Sequence, residues 1–292
     1  MDHELIVLLN GVTADQRPAL LAELDGVEHR LLTLDQPVLD LAAYVQAAAR
    51  LEHERLCFLN SYSAILAPGW LAKLVRALDQ PTAGLVAATG SWASVRSATL
   101  NALFLPNPYR GVVPARRVAR EQLLAIELAR GGEEIDGRRP PRRTLIRSVL
   151  ATLRTLPPMP EQLLRFEGFP AKHLRTNAFM AERTTFLGLR AGRIVRKLDA
   201  YVLESGHRSF TRQMEGLGLR ALVVDRDGAF FDPEDWPRSR TLWQGDQEGL
   251  LIADNQTRIY ANGGIERRRL LSAFAWGLRA DPTMPMEDGP SE

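Results

Sequence analysis

Three short blocks of the chain hold residues whose types and spacing could do chemistry. The first is Asn60-Ser61-Tyr62-Ser63, which follows the apolar run Leu56-Cys57-Phe58-Leu59 and precedes the turn and helix start Pro68-Gly69-Trp70-Leu71. Ligands of open α/β sheets gather beyond the carboxyl ends of strands, so these four residues mark a site edge. The same residue types also serve simply as strand caps and turn formers. The second block, Arg175-Thr176-Asn177, sets a cation, a hydroxyl and an amide before the apolar Ala178-Phe179-Met180. Such groups orient a sugar or a diphosphate by fixed hydrogen bonds, or else make a salt bridge and a strand cap. The third is Glu204, with Arg208 and Arg212 four and eight residues further on. One continuous helix would present all three on one face, where they could steady a diphosphate or form a surface ion-pair ladder.

A fourth region, Trp236 to Tyr260, mixes aromatic rings with amides and carboxylates. Aromatic faces beside hydrogen-bonding groups suit carbohydrate, which makes Trp236 and Trp243 candidate acceptor-binding residues. A structured turn is the competing reading of its Asp and Asn residues. Gly84 to Trp92 reads as a strand ending in small residues, and Gly90 there would let a ligand approach the backbone. A tight turn with Trp92 packed against it is the other reading of that stretch.

These groups need a scaffold, and the chain alternates short β-like runs with helical patterns through residues 4 to 90. The expected strands are Glu4 to Leu9, His29 to Leu34, Arg55 to Leu59 and Gly84 to Ala88, and the expected helices are Asp15 to Leu24, Asp40 to Leu51 and Trp70 to Leu78. Alternation of this kind predicts parallel βαβ units. Asp40 is placed to cap its helix, and Leu71, Leu74, Val75 and Leu78 give the next one an apolar stripe. From about 94 to 165 the β signal fades, and Arg, Leu and Ala dominate around a stretch rich in Gly and Pro, which predicts a helical insertion with a loop. Its basic clusters, Arg116-Arg117, Arg138-Arg139 and Arg142-Arg143, read as a solvated face rather than an anion site. Beyond 165 the α/β texture returns, with a strand over Asn177 to Ala181, helix over most of Asp199 to Leu217 and a strand over Leu219 to Val224. The chain is therefore expected to form one domain over 1–281 with a disordered tail over 282–292.

Composition narrows the function classes. With 45% hydrophobic and 25% charged residues, the 292-residue chain can bury a large core. Its 37 basic and 35 acidic residues nearly cancel, which argues against nucleic acid as a partner. The single cysteine, Cys57, lies in an apolar run and reads as a buried, inert thiol of a reducing compartment. Leu5 to Leu9 is too short for a signal peptide or a membrane span, so a cytoplasmic location is expected. Arg-rich, Lys-poor usage with much Ala and Leu points to a GC-rich bacterial source.

In the order of these blocks the chain resembles the family-2-type inverting glycosyltransferases. Members of that family run from a strand like Leu56 to Leu59 into an acidic motif that holds a metal and the sugar diphosphate, and then into a Pro-Gly-Trp-Leu helix start. The stretch from Lys197 to Gly206, with Gly216 and Gly218 ahead of a strand, resembles the family's acidic dyad region, with Glu204-Ser205 where a Glu-Asp pair is usual. The resemblance implies a GT-A-like, Rossmann-like α/β fold, a mixed sheet with flanking helices and a helical insertion. It implies Glu204 as catalytic base, taking the proton of an acceptor hydroxyl. It also implies donor binding by Asn10, Asn60, Ser61, Tyr62, Ser63, Arg175 and Asn177, and places Trp92 near the acceptor. The partners would be a nucleotide-sugar donor and a glycan or other hydroxyl acceptor, in a hexosyltransferase-type reaction. Because Asn60 to Ser63 carry no carboxylate, any Mg²⁺ or Mn²⁺ there would depend largely on the nucleotide. Family members begin with a strand and loop that cradle the base, and the resemblance implies that Glu4 to Val12 corresponds to a later strand, with a truncated start and the loss of a piece of the donor pocket as the two readings. The alternative is a catalytically inactive GT-A-like module that binds glycan or a partner protein. A nucleotidyltransferase would need a glycine-rich basic loop and metal carboxylates that the sequence lacks. The sugar, the acceptor and the oligomeric state are not encoded in any motif.

Overall fold

A computed structural model describes residues 2–97 and 159–280. The expected insertion over 94–165, with its basic clusters, and the tail over 282–292 lie mostly or wholly outside these residues. The first part runs β1 (Ile6–Leu9), α1 (Arg17–Glu23), β2 (Arg30–Thr33), α2 (Asp40–Arg50), β3 (Arg55–Leu59), β4 (Ala64–Ile65), α3 (Trp70–Leu78), β5 (Ala83–Ala87) and β6 (Gly90–Ser91). The second runs α4 (Met159–Arg165), β7 (His173–Leu174), β8 (Ala178–Glu182), α5 (Arg183–Gly188), α6 (Lys197–Ser205), α7 (Phe210–Gly216), β9 (Arg220–Val224), β10 (Phe230–Phe231), β11 (Ile252–Ala253), α8 (Asn255–Ala261) and α9 (Ile265–Trp276).

The result is a mixed α/β architecture around a five-stranded sheet in the order β10-β9-β5-β8-β3. β9 lies parallel to β5, whereas β8 runs antiparallel to both β5 and β3. β3, β5 and β9 therefore share one direction, as the βαβ pattern requires, but the reversed β8 separates β3 from β5. Reversal has a consequence for the sheet edge. It brings the N-terminal end of β8 to the edge where β3 and β5 end, with Leu59 opposite Ala178 and Ala87 opposite Phe179. β1 and β2 form their own parallel pair, and among the described residues no ladder joins it to β3.

The central strands are apolar on both faces because helices cover both. Alternate residues separate the two cores. On one side Phe58, Phe179 and Ala181 pack with Tyr44 of α2, Phe186 of α5, Leu203 of α6 and Phe210 of α7. On the other, Val86, Ala178, Met180 and Leu222 meet Leu74, Ala77 and Leu78 of α3. Leu71 and Val75 pack at the edge of that cluster, so the predicted stripe faces the sheet. Phe58 stacks between Tyr44 and Phe179 at 4.8 and 5.0 Å, which adds an aromatic seam to the area buried.

One local expectation is corrected and another is refined. Asp40 does not cap α2: Leu39, in an extended conformation, is the N-cap, and Asp40 stands inside the first turn without a capping hydrogen bond. Its charge there still suits the helix dipole. Asp199 to Leu217 is mostly helical, as expected, but in two helices parted at Gly206, where the chain passes too close to itself for any side chain. A Cβ on Gly206 would lie 2.6 Å from the Arg165 carbonyl and 2.8 Å from that of Val202. Ser209 then starts α7 by accepting from the Arg212 N–H at 3.2 Å. Among the described residues no helix is long and apolar enough to cross a membrane.

Candidate functional site

The carboxyl ends of β3 and β5 and the start of β8 converge on one polar cluster. At the end of β3 the Asn60 amide N–H donates to the Asn177 carbonyl at 2.9 Å, continuing the ladder beyond the strand. The Asn60 side-chain oxygen accepts from the Tyr62 N–H at 3.0 Å and from the Ser63 hydroxyl at 3.0 Å. Asn60 thus closes a local turn, as Asn commonly does. Ser63 also lies 3.1 Å from the Asn177 carbonyl, so it ties the turn to the start of β8. Ser61 and Tyr62 are exposed, and the Tyr62 carbonyl accepts from the Arg258 guanidinium.

The turn Arg175-Thr176-Asn177 is held from both ends by Thr89, at the end of β5. Arg175 N–H donates to the Thr89 carbonyl at 3.0 Å, and the Thr89 hydroxyl donates to the Asn177 side-chain oxygen at 2.9 Å. Thr89 and Asn177 are both buried. Beyond the sheet, Arg175 Nη2 donates to Asp254 Oδ2 at 2.7 Å. Asp254 in turn caps α8, with Oδ1 accepting from the Thr257 N–H at 2.8 Å. Burial opposes the ionisation of Asp254, yet the Arg175 guanidinium and the Thr257 hydrogen bonds together hold its carboxyl below the usual range. Two donors on this turn, Arg175 Nη1 and Asn177 Nδ2, are buried and have no hydrogen-bond partner among the described residues. A buried donor left unmatched costs about 1–3 kcal/mol, so this turn is one place where the fold gives up stability, the buried Tyr44 hydroxyl being another.

Glu204 reaches the same turn from the end of α6. Its Oε1 lies 3.4 Å from the Thr176 N–H, a long hydrogen bond between residues 28 apart in the chain. His173, in β7, is buried nearby, and its Nδ1 lies 2.7 Å from the Ala171 carbonyl. Nδ1 therefore carries the proton that bonds this acceptor. Burial lowers the His173 pKa, assisted by Arg175 and opposed by the negative charge of Glu204 and the Ala171 bond.

Of the residues singled out from the sequence, Asn60, Ser63, Arg175, Asn177 and Glu204 are brought together. Asn10 is not among them: its amide makes a two-point contact with the Val38 backbone, at 2.8 and 2.9 Å, and so fixes the loop between β2 and α2. The three tryptophans are core residues. Trp92, Trp236 and Trp243 are 8%, 0% and 8% exposed, and their indole N–H groups donate to the carbonyls of Pro233, Phe231 and Gln256. Gly90 makes room for the Trp236 ring rather than for a ligand, since a Cβ there would stand 2.8 Å from the ring. Arg208 and Arg212 do not share a helix with Glu204, because α6 ends at Gly206, and Arg212 instead pairs with Glu167 and Glu215. Cys57 is half-buried, and its desolvation pushes the thiol up to about 12, which leaves it protonated.

Thr89, His173 and Asp254 escaped the sequence reading of the site. The spacing Asp254-x-x-Thr257 is a legible helix start, but nothing in it announces the contact with Arg175. A hard divalent cation favours carboxylate oxygens, and the carboxylate oxygens of Asp254 already serve Arg175 and Thr257. No group of three or more His, Cys, Asp or Glu residues suited to a metal occurs among the described residues. Compared with protein-family models, curated proteins and solved structures, the chain shows no match.

Proposed function

We propose that this chain is a GT-A-like glycosyltransferase that moves a sugar from a nucleotide-sugar donor to a hydroxyl acceptor with inversion. The observation that carries this reading is the meeting of Glu204 with the Thr176 N–H, inside the turn that also holds Arg175 and Asn177. A carboxylate beside fixed donors, at the carboxyl edge of a mixed sheet, is the arrangement such a transfer requires. Glu204 takes the proton from the acceptor hydroxyl while that oxygen forms its bond to the anomeric carbon. The bond from that carbon to the diphosphate oxygen breaks on the opposite face, and the electron pair leaves with the diphosphate, whose growing charge Arg175 balances. Thr89 acts only by holding the turn in place.

Glu204→Gln tests the reading, because the amide keeps the shape and cannot accept the proton. Release of nucleoside diphosphate from a panel of nucleotide sugars should fall by about 100-fold or more, with donor binding retained. A rate within about threefold of wild type would remove Glu204 from the role of base. One observation favours the second reading, an inactive binding module: the Asn60 side-chain oxygen is taken by Tyr62 and Ser63, and the β3 end has no carboxylate. Binding of a nucleotide sugar without turnover in any acceptor mixture would decide for that module.

A further inference from the structure

Donors and acceptors at this sheet edge are unevenly used, and the imbalance specifies a ligand. Apart from Glu204, whose carboxylate takes only the long 3.4 Å bond from the Thr176 N–H, the side-chain oxygens that tie this edge together are engaged: Asn60 Oδ1 by Tyr62 and Ser63, Asn177 Oδ1 by Thr89, and both Asp254 oxygens by Arg175 and Thr257, and the Asn177 carbonyl is engaged by Asn60. The groups left over are donors, Arg175 Nη1 and Asn177 Nδ2. A divalent cation is bound by acceptor oxygens, whereas a phosphate is bound by N–H groups. Asn177 is 4% exposed and Thr89 is fully buried, so the amide is oriented by a fixed hydroxyl and not by water. Arg175 is fixed likewise, through Nη2 to Asp254 and through its backbone N–H to Thr89.

We infer that the turn Arg175-Thr176-Asn177 binds phosphate oxygens directly through these two side chains, without a divalent cation. The inference rests on the reading of this edge as a diphosphate site and assigns the charge-balancing role to Arg175. Glu204 and Asp254 both border the turn, so net positive charge does not select the anion. Selection comes from two donors held in direction, one of them on a planar guanidinium fork.

Isothermal titration of the full chain with UDP, GDP, CDP, dTDP and inorganic pyrophosphate, each in EDTA and in Mn²⁺, tests this directly. At least one probe is expected to bind in EDTA with an affinity within about twofold of that in Mn²⁺. Asn177→Asp keeps the acceptor that Thr89 uses and replaces the orphan donor by an anionic oxygen, so it should weaken that probe by about tenfold or more. Arg175→Lys, which keeps a cation but loses the fork, should do the same. Circular dichroism of both variants separates lost binding from lost folding. Binding seen only with Mn²⁺ overturns the inference and leaves the transferase reading standing. Undiminished affinity in a folded Asn177→Asp variant also overturns it. Binding of pyrophosphate but of no nucleotide sustains the inference and sinks the nucleotide-sugar reading, and binding of no probe overturns both.

Discussion

Arg175 Nη2 and Asp254 Oδ2 meet at 2.7 Å across 79 residues of chain, with only 1% of the Asp254 side chain exposed. This contact fastens the turn before β8 to the first turn of α8. It also keeps a guanidinium in a place where its second nitrogen, Nη1, finds no protein acceptor among the described residues. Stability and the proposed binding are linked here, because the group that holds Arg175 in position also neutralises part of the charge a ligand would meet.

Asp254→Asn should therefore be costly even though Asn is as good a helix cap as Asp. The amide keeps an oxygen for the Thr257 N–H but leaves Arg175 without a counter-charge, and breaking a buried pair costs about 3 kcal/mol or more. Because the folded Asp254 carboxyl sits below 3.8, its contribution is complete above that value and is lost as pH falls through the lower, folded pKa. Urea denaturation at neutral and acid pH checks both statements. The wild type and the variant should converge in stability toward the acid end, and a constant difference would contradict the assignment.

Thr89→Val isolates the clamp on the turn. Valine has nearly the shape of threonine, so the packing survives, but the Asn177 side-chain oxygen loses its donor while remaining buried. The expected loss is about 1–3 kcal/mol. If Thr89 orients the Asn177 amide, ligand affinity falls as well, and calorimetry on the folded variant would read that second effect separately from the first.

Much of the scaffold was legible, and the reasons are local. The bounds of β3 and α3 follow from the sequence because Arg55 to Leu59 is an apolar run ended by Asn60, and because Pro68-Gly69 leads into an amphipathic pattern. The placement of β8 was not legible. A strand such as Ala178 to Glu182, buried on both faces, carries no signal for its direction or its neighbours, so its reversal between β3 and β5 could not be read. The break at Gly206 was missed for a related reason, since the carbonyl of Arg165 that excludes a side chain lies 41 positions away in sequence. Residue type also misleads where burial decides the role. Trp92, Trp236 and Trp243 have rings suited to sugar, but each indole N–H is turned onto a backbone carbonyl in the interior. The candidate site was half legible: Glu204, Arg175 and Asn177 stand out by type and order, while Thr89 and Asp254 join it only through contacts made at long range.

His173 provides a test in mildly acid solution. Its folded pKa is depressed below 6.5, chiefly by burial, so the unfolded chain takes up the proton first. Stability is then fully present above 6.5 and declines as pH falls from there toward the folded pKa. His173→Gln removes this titration and should flatten the stability profile just below pH 6.5, measured as the urea midpoint at a series of pH values. An unchanged slope would show that other groups govern that range.

Gly90 offers the sharpest separation of packing from ligand binding at the site edge. A methyl group added to it would come within 2.8 Å of Trp236 Cε3 and 2.9 Å of Val223 Cγ2, both rigid parts of the interior. Overpacking of this kind costs about 1–3 kcal/mol, so Gly90→Ala should lower the denaturation midpoint. If the Trp236 ring is the obstacle, Trp236→Leu vacates part of the space, and the two changes together should cost less than the sum of each alone. Additive losses in the double-mutant cycle would instead mean that the backbone at Gly90 cannot take the extra atom for a reason other than this ring.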